Sequence, residues 1–251
     1  MRERVAIVTG ASSGIGAATA RRLARDHAGL ILHAGHSGQA LEAVADEVRA
    51  LGCRAAIALA DLGHDKIGQV LVSKTLATFG KLDVVVANAG FPILGNVGDG
   101  TAADLDRAFR GNVFSFFALV QAATPLLCAS TSPRVVSVGS FTSHVFRTDM
   151  RSFPMSAASK SALETATKSF ALHFGSAGIT FNCVVPGWIE KEGGTRDSVP
   201  PAELAENEGR IPLGRIGKPG EVASVIAFLA SAEASYVTGQ VLHVNGGLFI
   251  G

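Results

Sequence analysis

Short apolar runs alternate with longer amphipathic stretches along this chain. The runs are Val5–Val8, Leu30–His33, Ala56–Leu59, Leu82–Ala87, Arg134–Val138, Thr180–Val185 and Val241–Val244. Most are continuous rather than alternating, as expected for parallel strands covered on both faces. Helix-like segments lie between them, near 14–26, 38–51, 66–79, 102–129, 157–175 and 219–231. This alternation predicts an α/β fold, a doubly wound parallel sheet of seven strands flanked by helices. No internal repeat, low-complexity tract or linker interrupts it, so one domain over residues 1–251 is expected. The one long irregular stretch, Trp188–Arg210, holds Gly193-Gly194, Pro200-Pro201 and several charges. A loop of that length in a compact domain is usually functional, often a lid.

Composition narrows the function classes without choosing among them. Of 251 residues, 47% are apolar and 17% charged, and mean hydropathy is +0.32. That is enough to bury a large core and too apolar for a disordered chain. The 22 Lys and Arg nearly balance 21 Asp and Glu, for a net charge of +1. No basic run stands out, so nucleic acid and membrane surfaces are not expected partners. Cys53, Cys128 and Cys183 lack paired metal-ligand spacing and read as buried free thiols; no metal site is expected. Met1-Arg2-Glu3-Arg4-Val5 leads straight into the first strand without room for a signal peptide, and no apolar run approaches the roughly 18 residues of a membrane span. A cytoplasmic protein is expected.

The first strand ends in Val8-Thr9-Gly10-Ala11-Ser12-Ser13-Gly14-Ile15-Gly16 and enters a helix. Glycines here let the backbone approach a pyrophosphate closely, while the helix N-terminus offers free N–H groups. The fold class is thereby narrowed to Rossmann-type, although the spacing G-x-x-x-G-x-G is not the usual G-x-G-x-x-G.

Thr9–Gly16 resembles the TGxxxGxG turn of the short-chain dehydrogenase/reductase family, and three further segments agree in order. Asn88-Ala89-Gly90 is similar to the NAG motif after the fourth strand. Asp61-Leu62 stands where the family's adenine-contacting acid closes the third, and Pro186-Gly187 matches the PG after the sixth. All four fall at strand C-termini, where open α/β sheets bind ligands. The resemblance spans nearly the whole chain and implies cofactor contacts from Gly10, Ser12, Ser13, Gly14, Ile15, Gly16, Asp61, Leu62, Asn88, Ala89, Gly90, Lys160, Pro186, Gly187 and Ile189. Ile211-Pro212-Leu213-Gly214-Arg215, Lys218-Pro219-Gly220-Glu221-Val222 and the Gly246-Gly247 end look like the 3-oxoacyl-acyl-carrier-protein reductase-like branch.

NAD-preferring Rossmann proteins carry an acid near the end of the second strand. Here that position is Gly35, followed by His36 and Ser37, which can donate hydrogen bonds to a 2′-phosphate. NADP is the expected cofactor, with NAD as the alternative.

The resemblance also implies a tetrad of Asn, Ser, Tyr and Lys, the last two spaced YxxxK so that both share a helix face. In that chemistry the Tyr hydroxyl exchanges the proton at the carbonyl oxygen, assisted by the ammonium, while Ser orients the carbonyl and Asn supports a water. Asn112, Ser140 and Lys160 match their positions. The Tyr position holds Ser156, and the sole tyrosine, Tyr236, lies in a late segment that resembles a structural one. Serine has neither the reach nor the acidity of a phenol. Lys191 stands where the family usually has Thr, and His144, four residues beyond Ser140, offers an alternative acid.

The leading expectation is a carbonyl–alcohol oxidoreductase, impaired or atypical at Ser156, acting on a small molecule. Phe91, Leu94, Phe141, Phe146, Phe153 and Trp188 lie where they could line an apolar pocket or belong to the core. Two other readings fit the same residues: a dinucleotide-binding scaffold or sensor, and an engineered Tyr→Ser inactive variant. Phe109, Phe114, Phe116, Phe117, Phe170 and Phe174 give the fourth and fifth long helices apolar faces that relatives of this length bury in homotetramers.

Overall fold

The computed structural model describes residues 3–90, 93, 98, 100–149, 152–190 and 201–251. Its seven parallel strands are β1 (Val5–Thr9), β2 (Gly29–Ala34), β3 (Arg54–Leu59), β4 (Val84–Ala87), β5 (Arg134–Val138), β6 (Thr180–Pro186) and β7 (Val241–Val244). They form one sheet in the order β3-β2-β1-β4-β5-β6-β7, every pair parallel. The doubly wound sheet expected from the pattern is present.

Side chains of successive strand residues leave opposite faces of the sheet. Ala6, Val8, Leu30, Leu32, Val84 and Val86 pack on one side, against α1 (Gly14–Leu23) and α2 (Gly38–Ala50). Ile7, Ile31, Val85, Val135 and Phe181 pack on the other, against α3 (Ile67–Phe79), α5 (Ser115–Cys128) and α6 (Pro154–Phe174). Strands buried on both faces need apolar residues at every position, which explains the continuous runs. The edge strand β3 departs from this, with Arg54 and Leu59 exposed.

Helix boundaries follow local chemistry. Thr101 and Asp104 form a reciprocal capping box that starts α4 (Ala102–Phe109). Gly80, at φ +76°, ends α3 in the left-handed conformation. Pro154 opens α6 at a position where its missing N–H costs nothing. The sequence pattern placed that start near 157; the proline moves it forward, so Ser156 lies within the first turn.

The fourth helical segment is one run, Ala102–Cys128, in which a wide π-type turn at Arg110–Phe114 joins α4 to α5. By length and mean hydropathy this run could cross a membrane, contrary to expectation, but half of its most apolar window is buried within the fold. The stretch Trp188–Arg210 is not wholly irregular either. Pro201–Gly209 forms α7, opened by a proline, and α8 (Pro219–Leu229) follows. Residues 191–200 lie outside the described set. Cys53 and Cys183 are buried thiols as expected, whereas Cys128 is exposed.

α3 and α5 approach closely because Gly68 has no side chain: a Cβ there would stand 2.0 Å from the Ala118 carbonyl oxygen. Ala within a helix normally gains up to about 1 kcal/mol over Gly. Here the clash outweighs it, and Gly68→Ala should destabilise the fold by about 1–3 kcal/mol. Chemical denaturation checks this; an unchanged or raised midpoint would refute the packing argument.

Candidate active site

The sheet order reverses between β1 and β4, so the chains leaving these two neighbours diverge and open a crevice. The turn after β1 forms one wall. Gly10 and Gly14 take φ +65° and +53°, a conformation that side chains disfavour. A Cβ on Gly10 would lie 2.8 Å from Ala89 Cα, and one on Gly16 would lie 2.0 Å from the Gly10 oxygen. A Cβ on Gly14 would meet nothing within 4 Å, so the open side of the turn faces away from protein.

The turn after β4 is stapled to this wall. Asn88 Nδ2 donates to the Thr9 oxygen at 2.9 Å and to the Gly10 oxygen at 3.2 Å. The backbone N–H groups of Asn88 and Ala89 each donate to Thr9 Oγ1 at 3.0 Å. The Asn88 side chain is thus committed to backbone, and Thr9 is a partner the motif contains but sequence reasoning left unassigned.

These residues fit a dinucleotide. Ser13 is exposed and makes no capping hydrogen bond, Ser12 is half-buried beside it, and Ile15 packs beneath the turn. α1 carries no acid in its first turn, so its N-terminus is free to meet negative charge. At the end of β2, Gly35, His36 and Ser37 are exposed, and a Cβ on Gly35 would meet nothing within 4 Å. His33, also unassigned from sequence, ties this wall together: its oxygen accepts from Ala11 N–H at 2.8 Å and its Nε2 bonds the Ala60 oxygen at 2.9 Å. Burial lowers its pKa below the usual imidazole range. Asp61 is exposed and accepts from Gly63 N–H at 2.8 Å, capping its own turn, while Leu62 lines a small cavity with Thr9, Ala87, Ala89 and Asn112.

The polar centre assembles behind Gly90, where a Cβ would come within 2.8 Å of Asn112 Oδ1 and 2.9 Å of Lys160 Nζ. Asn112 reaches this point from the wide turn between α4 and α5; such turns often mark functional positions in helices. Its Nδ2 donates to Ser159 Oγ at 2.9 Å, and Ser159 Oγ donates to the Ser156 oxygen at 3.1 Å. Asn112 Oδ1 is buried without a partner among the described residues. Lys160 is buried, its Nζ donating to the Val138 oxygen at 2.7 Å. Burial lowers its pKa to about 8, so this amine changes charge close to neutrality.

Ser140, following β5, caps a short turn with its Oγ, which accepts from Thr142 N–H at 3.3 Å and lies 2.9 Å from Thr142 Oγ1. Ser156 is buried, and its Oγ accepts from Ile93 N–H at 2.8 Å. The Ser156 side chain is therefore a tether between α6 and Ile93. Tyr236 is fully exposed on the stretch between α8 and β7 and joins no part of this centre.

The third wall follows β6. Gly187 N–H donates to the Val244 oxygen at 3.0 Å, and a Cβ on Gly187 would stand 2.8 Å from Asn245 Cα. Pro186 ends the strand, and Ile189 bridges to Gly217. Phe141 and Trp188 pack at 4.9 Å between ring centroids, Phe153 is half-buried, and Phe146 is exposed. Lys191, Phe91 and Leu94 lie outside the described residues. His144 does not offer a free Nε2 as an acid, since that nitrogen sits 2.9 Å from Glu164 Oε2 with the ring against His243 and Phe249.

Residues 10–249 match a family model described as enoyl-(acyl carrier protein) reductase. The hydroxy(phenyl)methyl-succinyl-CoA dehydrogenase subunit BbsD of Thauera aromatica is 33% identical, over 100% of this chain and 99% of its own length. The 3-oxoacyl-acyl-carrier-protein reductase FabG of Staphylococcus aureus is 31% identical over 98% of both chains. A short-chain dehydrogenase from Burkholderia cenocepacia, solved in complex with NADP, superposes with a TM-score of 0.90 at 33% identity, covering 98% of each chain. With its seven-stranded doubly wound sheet, the chain belongs to the short-chain dehydrogenase/reductase family of oxidoreductases, in the 3-oxoacyl-acyl-carrier-protein reductase-like branch.

Proposed function

We propose that this chain interconverts a carbonyl and an alcohol on a small molecule with NADP(H), and that its proton transfer runs without a phenol. The observation that carries the reading is the convergence of Asn112, Ser159 and Lys160 behind Gly90, beside an intact glycine turn, with only a hydroxymethyl group at position 156.

Gly10, Ser12, Ser13, Gly14, Ile15 and Gly16 would hold the pyrophosphate, and His36 with Ser37 the 2′-phosphate. Asp61 and Leu62 would border the adenine. Asn88, Ala89, Gly90, Lys160, Pro186, Gly187 and Ile189 would border the nicotinamide half. The bound dinucleotide supplies or accepts hydride at the substrate carbon. Ser140 would donate a hydrogen bond to the carbonyl oxygen, Lys160 would hold ribose hydroxyls while charged, and Asn112 Oδ1 would hold a water. Ser156, short and turned to Ile93, leaves the proton to water or to an acidic group of the substrate. A cytoplasmic setting agrees with the thiols of Cys128 and Cys183, which form no disulfide.

Three measurements test this reading. NADPH should bind more tightly than NADH, and Gly35→Asp, which has room for its side chain, should reverse the preference by about tenfold or more through repulsion of the 2′-phosphate; equal affinities in the parent chain would remove the NADP assignment, and no binding of either would remove the proposed function and the dinucleotide-binding scaffold alike. Ser156→Tyr should raise kcat on simple ketones by roughly 10²–10⁴-fold, the usual worth of a positioned general acid, with little change in cofactor affinity. A fast parent chain that gains nothing from tyrosine would show that another donor serves.

The third measurement concerns assembly as a homotetramer. Phe116 belongs to the core, and Phe170 and Phe174 pack on Phe181, so the apolar face is narrower than the sequence implied. Phe114, Phe117 and Leu172 remain exposed, at 51%, 46% and 87%, and support burial of this face between copies. Sedimentation at micromolar concentration should give a tetramer; a stable monomer would overturn it.

A further inference from the structure

Beneath the site lies an ionisable pair that the reaction does not use. Glu164 stands one helical turn beyond Lys160 on α6, on the same face. Its side chain is 8% exposed, and a Cβ on Gly139 would lie 2.9 Å from its Oε1. Gly139 directly follows Val138, whose carbonyl holds Lys160. The carboxylate and the ammonium therefore approach the same turn, and a side chain on Gly139 would collide with Glu164 and with Val185. His144 bonds the carboxylate from the short turn after Ser140, at 3.1 and 2.9 Å to its two oxygens.

We infer that Glu164, held by His144, is a positioning residue that keeps Lys160 charged where the dinucleotide binds. The inference rests on the cofactor site proposed above. A buried amine without a counter-charge sheds its proton, because low polarity penalises the charged form. Among the described residues, the groups facing the two leave one source of compensation. Cys183, on β6, has its Sγ 3.1 Å from the same Gly139 position, but burial pushes this thiol up to about 12 and leaves it neutral. His243, on β7, packs edge-on against His144 at 4.5 Å; burial and then His144 lower its pKa, so it adds no charge near neutrality. Lys168, a turn further along α6, is a cation and favours ionised Glu164 without aiding Lys160. Among the described residues Glu164 is the remaining group that can supply a negative charge. Burial raises its pKa, and the contact with His144 opposes that rise. The histidine thus acts on Lys160 through the carboxylate.

The test follows the Lys160 Nζ resonance through a pH titration of the full chain without cofactor, alongside NADPH affinity over the same range. In the parent chain the resonance should titrate near pH 8, and NADPH binding should weaken as pH rises through that midpoint. Glu164→Gln keeps the shape but not the charge and should move both midpoints down by about one pH unit. Glu164→Asp should hold them nearer the parent value. His144→Leu should shift them the same way as Glu164→Gln, and the double variant should shift no further than Glu164→Gln alone, since both act through one carboxylate. His243→Phe preserves the ring packing and should leave both midpoints in place. A Glu164→Gln protein with lower thermal stability but an unmoved Lys160 midpoint would make Glu164 purely structural and overturn the inference. If the resonance shifts as stated while NADPH binds nowhere in the range, the electrostatic coupling stands but its role in holding cofactor falls, together with the cofactor reading.

Discussion

Everything at this site depends on two neighbouring strands parting company. β1 and β4 are hydrogen-bonded along their length, yet the helices that follow them pack on opposite faces of the sheet. Their turns must diverge, and buried backbone groups at a divergence need partners. Thr9 and Asn88 supply them, each bonding the backbone of the other's turn. With that junction fixed, Gly10 and Gly16 can nest without side chains. The N-terminus of α1 is set on one side, and Gly90 with its polar neighbours on the other.

Ser156 is informative against this background. Asn112 stays bonded to Ser159, and Lys160 to the Val138 oxygen, because neither bond passes through the side chain at 156. On the function proposed above, binding and hydride geometry would reside in the strand-end turns, and proton transfer in the side chain at position 156 of α6. A serine there would separate two functions that would otherwise rise and fall together.

Much of this was legible in the sequence because it rests on local rules. Continuous Val and Ile runs give double-sided strands, and the glycines of Thr9–Gly16 mark a turn that side chains would block. What was not legible depends on neighbours distant in sequence. The Pro154 start of α6 could be inferred from proline chemistry, but the packing of Ser156 against Ile93 could not. Ser159 and Glu164 look like the solvated positions of an amphipathic helix. They are buried among residues distant in sequence: Ser159 meets Asn112 of the wide turn, and Glu164 meets His144 and the Gly139 turn after β5. His144 has the chemistry of an acid on paper, and only its contact with Glu164 shows that its Nε2 is taken.

The wide turn at Arg110–Phe114 carries a consequence for how such a chain can change. Relative to an unbroken α-helix it takes up extra backbone, and one residue amounts to about 100° of helical phase. Within the turn this phase brings Asn112 to Ser159 and leaves Phe114 outside; within α5 it seats Phe116 in the core and leaves Phe117 outside. A one-residue deletion in this stretch would turn the helix on one side of it relative to the other, so the buried amide and the outer phenylalanines could not both keep their places. Their relative orientation is therefore inherited as one trait, and variation that tunes the outer face must proceed by substitution rather than by changes in length.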